Sequence, residues 1–212
     1  IEENIRVVMG VADCLFDEKT FVDWLTEERK NEISWYYWNR FDKYSNEKDI
    51  PKPVLQRTDS DTDLILKHLG DPKSEEPFSR RGMVIGDVQA GKTNNYSALI
   101  NKASDAGYKI IVVLSGMIGD LREQTQKRLD EDYVGRKSYA GRVGTSAPIG
   151  VGQFGIEREP ICLTDREQDF VGSGNFSLRS TIEPTLIVTI KNASRLRRLS
   201  EWLDRQKDSD GL

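Results

Sequence analysis

The chain has 212 residues, 37% of them hydrophobic and 31% charged, with a formal net charge of −4. That length accommodates one α/β domain with a smaller appendage. The acidic balance excludes a protein that coats nucleic acid with a globally basic surface, though not a local basic groove. Cys14 and Cys162 lie far apart without metal-ligand spacing and His68 is the one histidine, so the sequence argues against a zinc site. Scattered thiols fit a reducing cytoplasm, where this protein is expected. No apolar run approaches the roughly 18 residues of a membrane span, no signal peptide is visible, and no membrane partner is expected. Because residue 1 is isoleucine, the chain reads as a piece of a longer protein.

Residues 1–54 read as an N-terminal helical segment. Val7, Val8, Val11, Leu15 and Phe16 recur at helical intervals, and Phe21, Trp24 and Leu25 suggest a second helix capped by Asp17 or Thr20. An aromatic cluster follows, from Trp35 to Tyr44, with Arg40 and Lys43 beside it. Such rings can stack on bases. The spacing of Trp35, Trp38 and Phe41 instead favours one buried helical face. Pro51 and Pro53 mark a break, and a helix is expected from about Asp59 to a stop at Gly70. His68 on that helix is expected to be a satisfied or surface histidine. Phe78, Arg80 and Arg81 lead into the next segment; they read equally well as base and phosphate contacts or as a buried ring beside a solvated basic pair.

Gly86-Asp87-Val88-Gln89-Ala90-Gly91-Lys92-Thr93 matches G-x-x-x-x-G-K-[ST] at every fixed position. Met83, Val84 and Ile85 precede it as an expected strand, and Asn94 to Ala103 follow as an expected helix. In that context the glycines let successive backbone N–H groups wrap a phosphate at a helix N-terminus. Lys92 would reach the β- and γ-phosphates of ATP, and the Thr93 hydroxyl would take a position on Mg²⁺. The cofactor-binding set is therefore Gly86 through Thr93 with Asn94.

Lys109 to Leu114 is a β-branched run suited to a parallel strand covered on both faces, so residues 82–115 are expected to form one βαβ unit. A helix from Gly119 to about Asp130 would turn Leu121 and Leu129 inward and carry Arg122, Gln124, Thr125, Gln126 and Arg128 on its outer side. Residues 135–184 are irregular, with short strand expectations at 142–145 and 160–163. Thr164, Asp165 and Asp169 there suit turn and cap roles better than acid–base or metal roles. Pro184 to Ile190 reads as another buried strand. In the helix that follows, Leu196, Leu199 and Leu203 face inward. Lys191, Arg195 and Arg198 form a basic stripe that reads equally as a nucleic-acid contact or as solvated charge. The tail from Asp204 is expected to fray. No strand ends in the acidic pair that a phosphate-loop ATPase uses to hold Mg²⁺ and activate water, and Asp165 is a poor substitute.

Arg81 to Tyr96, with Val88-Gln89-Ala90-Gly91-Lys92-Thr93-Asn94-Asn95-Tyr96 at its centre, resembles the phosphate loop of the Z1 domain family. The likeness continues through residues 103–109, Leu114 to Met117, Leu121 to Leu129, Leu163 to Asp165 with Asp169 and Phe170, and Ile187 to Asn192 with Leu196, Leu199, Trp202 and Leu203, covering about residues 55–205. Ala90 stands where Ser is frequent in that family, and Thr189 where a second basic-motif residue is expected. The resemblance implies an α/β, superfamily-two helicase-like P-loop NTPase fold: a parallel sheet flanked by helices over residues 55–212, truncated before the acidic motif. It also implies ATP hydrolysis, DNA as partner, and a bacterial restriction or phage-defence setting alongside nucleases. Gln124, Thr125 and Arg128 fall where such proteins carry a nucleic-acid motif. Lys191 and Arg195 join them from the basic stripe. A different class, a nucleotide-gated module that recruits a nuclease partner without translocating, fits the same residues. No nuclease constellation is visible in this chain.

Overall fold

The computed structural model describes residues 21–85, 92–141, 145–172 and 176–208, with only the backbone described at 92, 93, 207 and 208. The chain forms helices α1 (Glu27–Glu32), α2 (Tyr36–Glu47), α3 (Lys52–His68) and α4 (Lys92–Ala106), then strand β1 (Ile110–Ser115) and helix α5 (Gly119–Leu129). A π-helical turn (Asp130–Val134) and a 3₁₀ turn (Gly150–Phe154) precede β2 (Ile161–Cys162), β3 (Thr185–Ile190) and α6 (Ala193–Asp208). The three strands make a parallel sheet in the order β1-β3-β2. Its register runs from Ile110 opposite Thr185 to Ser115 opposite Ile190.

Pleating sends alternate residues of β1 and β3 to opposite faces. On one face Leu186 and Val188, flanked by Ile111 and Val113, pack under Ile100, Leu129, Tyr133, Val134 and Tyr37. On the other, Ile187 with Ile110 and Val112 meets Leu199 and Trp202 of α6 and Phe170. The protein is thus a mixed α/β fold with a small parallel sheet covered by helices on both faces. β3 is buried at every position but its last, as its continuous apolar run predicts. β1 is only half-buried, and Leu114 is 46% exposed, so full coverage of this strand is not found.

The N-terminal helices depart from the sequence reading in three places. Residues 21–26 are not helical; Thr26 is the N-cap of α1, its side chain accepting from Arg29 N–H. Trp24 and Leu25 instead pack beside Leu66, Ala103 and Ala106, and the Trp24 indole donates to the Leu69 carbonyl at 2.9 Å. The earlier periodic residues, Val7 to Phe16 with Asp17 and Thr20, lie outside the described residues. Second, α3 starts at Lys52, seven positions before Asp59. Pro53 sits in its first turn, where a missing N–H forfeits no helical bond. Third, the buried face of α2 is Tyr37, Arg40 and Phe41, with Trp35 and Trp38 only partly covered. Arg40, 2% exposed, donates to the carbonyls of Tyr133 and Gly155 and is not available to a ligand.

Two glycines let backbone cross backbone in the irregular region. A Cβ on Gly152 would lie 2.0 Å from the Gly135 carbonyl oxygen, and one on Gly150 equally close to the Glu131 oxygen. These contacts hold the 3₁₀ turn against the π-turn. The expected strand at 142–145 falls mostly outside the described residues. α6 stays helical to Asp208, four residues beyond the expected start of fraying.

Candidate nucleotide and nucleic-acid site

α4 begins at Lys92, so the helix expected after the phosphate loop is present; Gly86 to Gly91 lie outside the described residues. The first N–H groups of any helix have no intrahelical acceptor and face whatever precedes it. In that first turn the Asn94 amide nitrogen is buried and has no hydrogen-bond partner among the described residues. These features suit an anion such as a phosphate. The strand expected just upstream is not found. Residues 81–85 have no regular structure, and Met83, Val84 and Ile85 are 82%, 60% and 83% exposed. Met83, Val84 and Ile85 pair with no described strand, and β1 is an edge strand of the described sheet. The βαβ unit is therefore represented by its helix and second strand.

The chain leaves β1 at Ser115 and enters α5 at Gly119; it leaves β3 at Ile190 and enters α6 at Ala193. Because Ser115 and Ile190 are paired, both helices start at one edge of the sheet, the carboxyl edge where open parallel sheets bind ligands. Asn192 stabilises the start of α6: its side-chain oxygen accepts from the N–H and hydroxyl of Ser194 at 2.9 and 2.8 Å.

α5 divides differently from the sequence reading. Gln124 and Arg128 are exposed and Thr125 half-buried, its hydroxyl donating to the Leu121 carbonyl at 2.7 Å. Arg122 and Gln126 are buried at 5% and 0% exposure, so they are not on the outer side, and of the two leucines expected inward Leu129 is buried but Leu121 is 45% exposed. Arg122 donates to the carbonyls of Asp165 and Arg166 at 2.7 and 2.6 Å. Gln126 accepts from the Thr164 hydroxyl at 2.8 Å, and Thr164 in turn accepts from Val188 N–H at 2.9 Å. Arg122 thus satisfies two carbonyls of the loop after β2, while Gln126 fixes the Thr164 hydroxyl that in turn meets β3.

The acidic positions near this edge are likewise committed. Asp165 accepts from the N–H groups of Ala140, Glu167 and Gln168 at 3.0, 3.0 and 2.7 Å. Burial works against its charge, but these backbone bonds outweigh it and hold its pKa below the ordinary value. Asp169 faces Arg195 at 3.7 Å, and Arg195 also donates to the Phe170 carbonyl at 2.9 Å, so Arg195 anchors α6. Lys191 and Arg198 are exposed. Phe78 lies against Gly70, with ring atoms 2.1 Å from where a Cβ would stand, yet the residue is 43% exposed, so it is not a buried ring. His68 Nδ1 lies 2.7 Å from the Leu64 carbonyl and the ring stacks on Phe21, as a satisfied histidine should.

Sequence reading missed the polar interior behind the loop. Ser97 and Asn101 of α4 are fully buried, and both bond to Asp132 of the π-turn. Lys102 is 1% exposed, pairs with Asp59 and Asp63 of α3, and lies 4.3 Å from the Trp38 ring centre. The available signal was the spacing of Ser97, Asn101 and Ser104, which puts three polar side chains on one helical stripe.

Among the described residues no group of three or more His, Cys, Asp or Glu side chains is gathered to hold a metal ion, and no helix is long and apolar enough to cross a membrane. No protein-family model matches this chain, and no curated protein or solved structure does so either.

Proposed function

We propose that this chain carries the ATP-binding lobe of a helicase-like P-loop ATPase that acts on DNA, in a bacterial restriction or phage-defence setting. The observation that carries the reading is the phosphate-loop sequence running directly into the N-terminus of α4 at Lys92. The parallel sheet, with α5 and α6 opening at its carboxyl edge, supports it. Loop amides from Gly86 to Gly91, Lys92 and the Asn94 amide would hold the phosphates. Thr93 would hold Mg²⁺, which when bound neutralises charge on the β- and γ-phosphates. DNA would meet Gln124, Thr125, Arg128 and Lys191.

The burial of Arg122 and Gln126 favours a second reading. With those two side chains committed inside, α5 presents a thinner polar surface, which suits a nucleotide-gated module that recruits a nuclease or other defence protein without moving along DNA. ATPase activity of the full-length protein, wild type against Lys92→Ala, with and without DNA, separates the two. DNA stimulation that vanishes in Lys92→Ala is expected for the motor. Hydrolysis indifferent to DNA selects the module, and hydrolysis unchanged by Lys92→Ala overturns both.

A further inference from the structure

The Asp132 carboxylate, 3% exposed, joins three elements. Its Oδ1 meets Lys48 Nζ at the end of α2 at 3.1 Å. Its Oδ2 accepts from Ser97 Oγ on α4 at 3.1 Å, while its backbone carbonyl accepts from Asn101 Nδ2 at 3.0 Å. Burial works against the Lys48 ammonium, and Asp132 together with Tyr44 more than offsets it, so the Lys48 pKa lies above the ordinary value.

The fourth partner is different. Arg128 Nη1 stands 3.8 Å from Asp132 Oδ2, at the limit of an ion pair, and the Arg128 side chain is 48% exposed. It is the loosest arm of the network and the most exposed, ahead of Lys48 at 35%. The network's inner arm is Ser97, five residues after Lys92 on the same helix. Tyr96, next to Ser97, feels both charges, because Arg128 and Asp132 act in opposite directions on its hydroxyl.

We propose that Asp132 is a positioning residue that couples nucleic-acid contact at Arg128 to the phosphate-loop helix α4. This rests on the nucleotide and DNA reading above. A DNA phosphate forms a bidentate, charge-assisted contact with Arg128 and draws it from a carboxylate that holds it at only 3.8 Å. Asp132 is then shared between Lys48 and Ser97 alone, and its hold on α4 changes. The same chain of contacts works in reverse, since coupling between two sites is reciprocal.

The test is the affinity of the full-length protein for a fluorescent ATP analogue, with and without a tailed DNA duplex, in wild type, Asp132→Asn and Ser97→Ala. Asp132→Asn keeps the shape and removes the charge; Ser97→Ala removes one hydroxyl and guards against a folding failure of the first variant. In wild type, DNA is expected to change nucleotide affinity by roughly 5- to 150-fold. In both variants each ligand alone still binds, and that ratio falls towards one. A full ratio retained in both variants overturns the relay. A wild type that binds both ligands independently also overturns it, while leaving the binding reading in place. A wild type that binds no nucleotide overturns the binding reading and the relay with it.

Discussion

The Asp105 carboxylate, near the end of α4, accepts hydrogen bonds from the backbone N–H groups of Tyr37 and Trp38 at 3.0 and 2.8 Å. It caps α2 from a distance of 67 residues in sequence, and α2 needs the cap because its own N-cap, Trp35, supplies no side-chain bond. The helix that follows the Gly86–Thr93 motif and the helix that carries most of the aromatic cluster are thus joined through one carboxylate.

That cap sets a pH dependence. Burial pushes the Asp105 pKa up to about 6, against the pull of the two N–H donors. The folded state therefore holds the Asp105 proton more tightly than the unfolded chain, whose carboxyl titrates near 3.8. The stabilisation is fully present below the unfolded value and is lost as pH rises through about 6. Urea unfolding of wild type and Asp105→Asn between pH 4 and 7 should show wild type losing on the order of 2 kcal/mol relative to the variant over that range. A pH-independent difference between the two proteins would show that Asp105 does not titrate in this window.

α5 predicts a separation between folding and binding. Arg122→Met removes two charge-assisted bonds to loop carbonyls and should cost about 2 kcal/mol in urea unfolding. Gln124→Ala and Lys191→Ala change exposed side chains and should leave stability within about 0.5 kcal/mol. On the reading proposed above, Lys191→Ala also lowers the salt slope of DNA binding by about one unit. Equal stability losses for Arg122→Met and Gln124→Ala would contradict the inward position of Arg122.

Lys102 gives a third. Its ammonium is enclosed by Asp59, Asp63 and the Trp38 ring, and Lys102→Met leaves two carboxylates facing an apolar side chain. Breaking a buried pair by removing one partner is strongly destabilising. Asp59 is half exposed, and water there offsets part of the loss. A decrease of about 2 kcal/mol is expected by urea unfolding, with partial recovery in Lys102→Met combined with Asp63→Leu.

The sheet was the legible part of the sequence. β1 and β3 are largely β-branched, near-continuous apolar runs, and such runs have few alternatives in a domain of this size. α4 was legible because it follows the phosphate-loop pattern. The start of α3 was obscured by Pro53, which reads as a breaker in isolation yet fits a first turn. The position of Arg122 depends on the carbonyls of Asp165 and Arg166 and that of Gln126 on the Thr164 hydroxyl, some 40 residues downstream, and no local pattern reports them. Met83 to Ile85 have the composition of a strand, but strand formation depends on a neighbouring edge, which composition does not carry.

The glycine crossing allows the sharpest steric test. Gly152 has an ordinary backbone conformation, so its requirement for glycine is contact alone: an added Cβ meets the Gly135 carbonyl oxygen at 2.0 Å and its carbon at 2.7 Å. Both neighbours are backbone and neither can rotate away, so the π-turn and the 3₁₀ turn must separate. That would disturb the Arg40 bonds to Tyr133 and Gly155, which brace the same junction. Gly152→Ala should therefore destabilise the fold by about 3 kcal/mol or more. Gly119→Ala provides the contrast, because a Cβ there meets nothing within 4 Å and the residue lies in the first turn of α5. It should be neutral or stabilising by up to about 1 kcal/mol, through the smaller entropy of the unfolded chain. Thermal unfolding of the two variants side by side checks both, and a tolerated Gly152→Ala would mean that these turns are not in backbone contact.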